Sequence, residues 1–177
     1  MNAGKTTVLL QSNYNYHERG MDTLLFLPLI DTRGGKGKIV SRIGLENEAI
    51  NFDTDFDFFT YVKSCQKPAL RCVLIDEAQF LKKEQVMQLK KITDELGIPV
   101  LAYGLRTDYM GEPFEGSTYL LAWAENLVEI KTICHCGKKA TMNLRVDENG
   151  NPVRSGEQIV IGGNDKYVAV CYRHFIK

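Results

Sequence analysis

The chain has 177 residues, room for one ordinary domain with a small appendage and for a core that folds without covalent staples. Apolar content of 44% and charged content of 25% are those of a globular protein, and 22 basic residues balance 22 acidic ones, which argues against a broad electrostatic footprint for nucleic acid or an anionic membrane. No stretch approaches the ~20 apolar residues that span a bilayer, no signal segment opens the chain, and five cysteines, an odd number, suit a reducing compartment; the cytoplasm is the expected location.

Met1-Asn2-Ala3-Gly4-Lys5-Thr6-Thr7 reads as the second half of a phosphate-binding loop, G-x-x-x-x-G-K-[ST], running into a helix. Backbone N–H groups at a helix start carry unpaired donors and partial positive charge, so they hold phosphate oxygens. Gly4 lets the backbone come close, the Lys5 ammonium reaches the terminal phosphates, and the Thr6 hydroxyl can ligate Mg²⁺. A chance Gly-Lys-Thr at a helix start is the alternative. The pattern's first glycine would lie two residues before Met1, and the strand that feeds such a loop is missing, so the chain is expected to be a fragment or to start further upstream. That strand would be central, and a protein beginning at Met1 is expected to be aggregation-prone and poorly active.

A helix is predicted over 6–19, with Val8, Leu9, Ser12 and Tyr16 at near-helical spacing and Gly20 as its stop. Residues 23–27 form a short apolar run, the mark of a strand buried on both faces, which Pro28 ends or bulges. Asp31-Thr32-Arg33 then leads into a flexible basic loop, 34–38. Asp53, Asp55 and Asp57 alternate as in a calcium loop, but Phe58 stands where glycine is needed and Ser64 where a glutamate is needed; a capped helix start is the better reading. Residues 71–75 are a second buried strand, 83–96 a helix with Val86, Leu89, Ile92 and Leu96 on one face, and 100–103 a third strand. Strands alternating with helices predict a mostly parallel α/β sheet whose ligand lies beyond the strands' carboxyl ends, where Lys5, Asp31, Asp76 and Leu105 fall. Past Glu129 the texture changes to short strands at 128–133, 140–146, 159–161 and 167–170, which divides the chain into 1–129 and 130–177.

Val73-Leu74-Ile75-Asp76-Glu77 has the form of a Walker B strand, its first acid helping to hold Mg²⁺. Successive side chains on a strand point to opposite faces, so Asp76 is expected to face the metal and Glu77 a different space. With an acceptor hydroxyl there, Glu77 takes its proton; with water there, the protein is an ATPase. Cys134-His135-Cys136 and Cys171-Tyr172-Arg173-His174 offer four soft ligands, Cys134, Cys136, Cys171 and His174, for a structural zinc site, with His135 a rival to Cys134 and two buried thiols beside a surface histidine the plainer alternative.

With these pieces the chain resembles the thymidine kinase family of the cytosolic, zinc-containing kind, particularly its gammaproteobacterial members. The resemblance runs through 1–6, Ile30-Asp31-Thr32-Arg33, Ile75-Asp76-Glu77-Ala78-Gln79-Phe80, Tyr103-Gly104-Leu105-Arg106-Thr107-Asp108, the cysteine cluster and Ile161-Gly162-Gly163-Asn164-Asp165-Lys166-Tyr167. It implies a P-loop fold with a small zinc-binding β domain carrying a lasso loop, and ATP-dependent phosphorylation of the thymidine 5′-hydroxyl. It further implies a nucleotide and Mg²⁺ site at Met1, Asn2, Ala3, Gly4, Lys5, Thr6, Asp31, Thr32, Arg33, Asp76, Glu77, Ala78 and Gln79, with Glu77 as catalytic base and Arg33 and Arg145 steadying phosphate charge. Phe80, Leu105, Tyr109 and Phe114 would wall the thymine pocket with Met1 close by. Tyr167 and the backbone of Gln158, Ile159, Val160, Ile161 and Gly162 would close over the nucleoside. A homotetramer inhibited by the end-product triphosphate is also implied. The C-x-C spacing departs from the C-x2-C of many relatives. A P-loop ATPase or binding module with a zinc lobe, and an inactive remnant, are the rival readings.

Overall fold

The structure is a computed structural model that describes residues 3–159 and 166–177. Gly4 caps α1 (Lys5–Glu18) from the left-handed region, at φ 76°, a conformation glycine adopts without steric cost. Leu9, Leu10 and Asn13 are the buried face of α1; Val8, grouped with that face by spacing, turns instead to solvent. Gly20 ends the helix region at φ 70°, as its position predicts.

Four parallel strands make the central sheet, in the order β4-β1-β5-β6: β1 (Asp22–Pro28), β4 (Ile50–Phe52), β5 (Leu70–Ile75) and β6 (Val100–Ala102). Alternate residues of the two inner strands feed different cores, as expected of strands covered on both sides. Leu25, Leu27, Cys72 and Leu74 pack beneath α1, whereas Phe26, Val73 and Ile75 join the opposite core. That second core is closed by α2 (Phe58–Ser64) and α3 (Lys83–Leu96), through Phe58, Val62, Val86, Leu89 and Ile92. Phe26 sits edge-on to Phe58 at 5.1 Å, a favoured aromatic geometry. Asp57 caps α2 by accepting the Thr60 N–H at 2.9 Å, which explains the acidic run before it. Gly97 ends α3 in the left-handed region.

A two-stranded antiparallel hairpin, β2 (Lys38–Val40) and β3 (Glu46–Glu48), follows the loop expected over 34–38, in a stretch to which the sequence reading assigns no element. A helix the sequence reading omits, α4 (Glu115–Trp123), follows β6. Gly116 explains its close seat: a Cβ there would lie 2.7 Å from the Leu81 carbonyl and 2.8 Å from that of Ala78. Both belong to the turn after β5, where Ala78–Phe80 form one 3₁₀ turn.

The last part of the chain is all short pairings. β7 (Thr132–Ile133) pairs with β8 (Lys139–Ala140), and β9 (Met142–Arg145) with β10 (Tyr167–Val170), each antiparallel; α5 (Tyr172–Phe175) follows. The strand expected over 128–133 shrinks to its last two residues, and that over 140–146 divides into β8 and β9. The strand expected over 159–161 falls largely outside the described residues.

Candidate active site and metal centre

Beyond the carboxyl ends of β1 and β5 lies a cavity of about 730 Å³. Lys5 and Glu77 open onto it together. Thr6 and Asp76 meet across its floor, Thr6 Oγ1 donating to Asp76 Oδ2 at 2.8 Å, so the helix after the glycine loop is tied to the end of β5. Burial drives the Asp76 pKa up to about 6, helped by the neighbouring Glu77 charge; the Thr6 hydrogen bond and Lys5 oppose the rise.

Glu77 departs from the alternation expected of a strand. The strand ends at Ile75, and Glu77 takes φ 49°, the only positive φ of a residue other than glycine among those described. This left-handed turn brings its carboxylate into the same cleft as Asp76, where strict alternation predicts a separate space. Such strain is retained where surroundings over-determine it, and here they do. Arg33 Nη2 donates to Glu77 Oε1 at 2.6 Å and Gln79 Nε2 to Oε2 at 2.6 Å. Arg33 also grips Asp31, through Nε to Oδ1 at 2.8 Å and Nη2 to Oδ2 at 2.5 Å. Burial of Glu77 opposes ionisation, but Lys5, Arg33 and the Gln79 hydrogen bond outweigh it and hold the carboxyl below its ordinary value. The two adjacent acids are thus pushed in opposite directions.

The other end of the cavity is aromatic and apolar. Phe80 meets Phe114 edge-on at 5.8 Å, and Leu105 and Tyr109 lie beside them. Ser117 of α4 donates to the Leu105 carbonyl, fixing that wall. Tyr109 is almost fully buried; its hydroxyl donates to the Gly156 carbonyl at 3.0 Å, and the Arg145 guanidinium lies 5.3 Å from its ring centre. Asp108 accepts from Gln158 Nε2 at 2.9 Å. Gln158, Ile159 and Tyr167 reach the cavity, as do Ala3, Gly4, Asp31, Gln79 and, from the hairpin, Ile39 and Arg42. Thr32 is exposed at a turn and Ala78 is packed in the core, so neither forms a wall. Met1, Asn2, Val160, Ile161 and Gly162 lie outside the described residues. Sequence reasoning assigned no role to Asp108 or to the hairpin, although Asp108 lies in one of the motifs quoted; a lone acid between turn residues carries no pattern of its own.

In the small lobe the ligand atoms of Cys134, Cys136, Cys171 and His174 lie within 4.8 Å of one another. Tetrahedral zinc with S and N ligands places neighbouring donors about 3.5–3.8 Å apart. Cys134 Sγ is 3.3 Å and Cys171 Sγ 3.4 Å from His174 Nδ1, and the Cys136 and Cys171 sulfurs are 3.9 Å apart. The donor set therefore fits zinc with little adjustment. Burial opposes ionisation of Cys134, but N–H groups of Cys136 and Cys171, with His174, bring its thiol down to about 6, which suits a metal thiolate. His135 is outside this group; its ring packs on that of His174, 4.3 Å between centres.

Comparison with known proteins agrees with this geometry. The family model described as thymidine kinase matches residues 1–175. A thymidine kinase of Coxiella burnetii is 63% identical over 177 residues, covering 99% of this chain and 90% of its own. One from Legionella pneumophila (strain Lens) is 62% identical, with 99% and 85% covered, and one from Vibrio cholerae 58%, with 99% and 92% covered. A glycine-loop helix tied to a buried acid, a second acid in the same cleft and a match along almost the whole chain lead to one conclusion: the chain belongs to the thymidine kinase family.

Proposed function

We propose that this protein transfers the γ-phosphoryl group of ATP to the 5′-hydroxyl of thymidine, giving dTMP and ADP. The observation that carries the reading is the shared cleft: Lys5, the Thr6–Asp76 pair and the Glu77 carboxylate line one cavity whose far end is walled by Phe80, Leu105, Tyr109 and Phe114. The phosphates lie on the backbone N–H groups at the start of α1, with Lys5 on the terminal ones. Thr6 and Asp76 would hold Mg²⁺, which when bound would supply charge neutralisation for the phosphates. Arg33 exchanges Glu77 for the phosphate, which frees a carboxylate oxygen. Glu77 then accepts the proton of the 5′-hydroxyl as that oxygen attacks phosphorus and ADP leaves. Residues 1–129 form the nucleotide domain in this reading. Residues 130–177 form a zinc-stabilised lobe that presents Gln158, Ile159 and Tyr167 to the nucleoside. A cytoplasmic homotetramer, inhibited by the end-product triphosphate, completes the proposal.

The test is labelled thymidine with MgATP. Phosphorylated nucleoside, formed in step with ADP, is the expected product. Phosphate release that ignores thymidine would overturn the reading in favour of an ATPase in which Glu77 orients water.

A further inference from the structure

We infer that Gln79 is a positioning residue, a buried two-ended brace that fixes the Glu77 carboxylate against the wall of the nucleoside pocket. The inference rests on Glu77 being the general base. Gln79 is buried, at 3% exposure, and both ends of its amide are used. Its Nε2 donates to Glu77 Oε2 at 2.6 Å, and its Oε1 accepts the Leu105 N–H at 3.1 Å. The orientation is forced, because the Leu105 N–H needs an acceptor and an ionised carboxylate needs a donor. Gly104 leaves the room this placement needs: a Cβ there would lie 2.9 Å from the Gln79 backbone nitrogen and 3.0 Å from Oε1. Ser117 holds the other side of Leu105 through its carbonyl. A continuous polar path therefore runs from α4, through the pocket wall, to one oxygen of the base.

Charged neighbours make this brace distinctive. Glu77 is faced by Lys5 from α1, by Arg33 with its partner Asp31 from the segment after β1, and by Asp76 beside it. Lys5 and Arg33 are cations that phosphate oxygens attract, and Arg33 is 42% exposed and already shared with Asp31. Gln79 is neutral and buried, so phosphate does not compete for it. It is the donor that stays on Glu77 when the cations are engaged. With Oε2 occupied, carboxylate rotation is blocked and Oε1 is left to meet the substrate hydroxyl.

Two variants test this. Gln79→Met keeps the approximate shape and removes both hydrogen bonds. Gln79→Glu keeps an acceptor for Leu105 and places a like charge beside Glu77. We expect kcat with thymidine to fall roughly 10- to 100-fold in both, with KM for MgATP within about 3-fold. The acid limb of the pH profile moves to higher pH, further in Gln79→Glu. A merely structural role would not move that limb. Should Gln79→Met fail to fold, Gln79→Glu decides, and wild-type kcat with an unmoved acid limb there overturns the inference. Glu77→Gln, run in parallel, separates the two readings. If it stays active, the base assignment itself fails; if it is inactive while both Gln79 variants behave as wild type, only the brace fails. In the Glu77→Gln background Gln79→Glu should add no further loss, and a full second loss would show that Gln79 acts independently of Glu77.

Discussion

The sheet-bearing part of the molecule and its Cys/His lobe are held together by different means. In the former, Phe26, Val73 and Ile75 on one face and Leu25, Leu27 and Leu74 on the other bury each inner strand twice, beneath α1 and beneath α2 and α3. In the latter the core among the described residues is Cys134, Leu144, Val170, Cys171 and Phe175, with Ala140, Met142 and Val146 packed against it, and two of the first five are metal-ligand candidates. So small an apolar core is the kind that a structural metal supplements. In the proposed reading the body's polar residues serve chemistry, whereas the lobe's cysteines and His174 would hold zinc for its fold.

Metal removal should break that contrast open most widely. A strong chelator, or Cys136→Ser, is expected to strip zinc, disorder the lobe and raise KM for thymidine by about 10-fold or more. Helical circular dichroism from the body should largely persist. Simultaneous loss of α1 and α3 signal at the same chelator concentration would mean that the two regions share one stability. Full zinc stoichiometry in Cys136→Ser would remove Cys136 from the ligand set.

Glu77→Gln probes the proton-transfer step. Turnover should fall by roughly 10²-fold or more while nucleotide still raises the melting temperature. Turnover within a few fold of wild type would take the proton-transfer role from Glu77.

Asp76→Asn probes what the body gives up for function. The folded-state pKa of Asp76, about 6, lies above its ordinary 3.8. Between those values the folded protein keeps a proton that the unfolded chain has released, so stability falls as pH rises through the window and stays reduced above it. Glu77 runs the other way: its lowered value contributes stability above its ordinary 4.5, which is lost as pH falls through the folded value. The asparagine variant should therefore melt roughly 2–6 °C higher than wild type at pH 7.5, and the advantage should vanish near pH 4. It should also lose MgATP-dependent stabilisation. A lower melting temperature at pH 7.5 would contradict the assigned penalty.

The smallest effect is expected at Lys90, which bridges Asp94 at 3.2 Å and Glu125 at 2.6 Å on the surface. Exposed pairs of this kind contribute little. Lys90→Ala should leave the melting temperature within about 1 °C, and a larger drop would mean that surface charge does more for the body than its core suggests.

Much of the sheet was legible because apolar runs such as 71–75 are buried on both faces and leave an unmistakable trace. The α3 face was legible through Val86, Leu89 and Ile92. The omitted helix α4 buries only Gly116 and Ser117, small residues that no hydrophobic pattern registers, while its Tyr119, Leu120 and Trp123 are only partly buried against the core. The hairpin was missed because Ile39 is its only buried apolar residue. At the site, the Lys5, Thr6 and Asp76 pattern stands in the sequence, and the pocket walls came only through resemblance, since Phe80 and Phe114 look like ordinary packing. The Arg33–Glu77 pair joins residues 44 positions apart, and a left-handed Glu77 violates the alternation rule used to place it. Local patterns reach Lys5, Thr6 and Asp76; the contacts that aim the second acid are tertiary.

The bare position in α4 has a wider meaning. With carbonyl oxygens crowding Gly116 from the turn that carries Gln79 and Phe80, even one methyl group would have to push that turn out of place. An atom that the chain does without, on a helix outside the glycine loop, thus sets where the Gln79 brace and the Phe80–Phe114 wall of the cleft can stand.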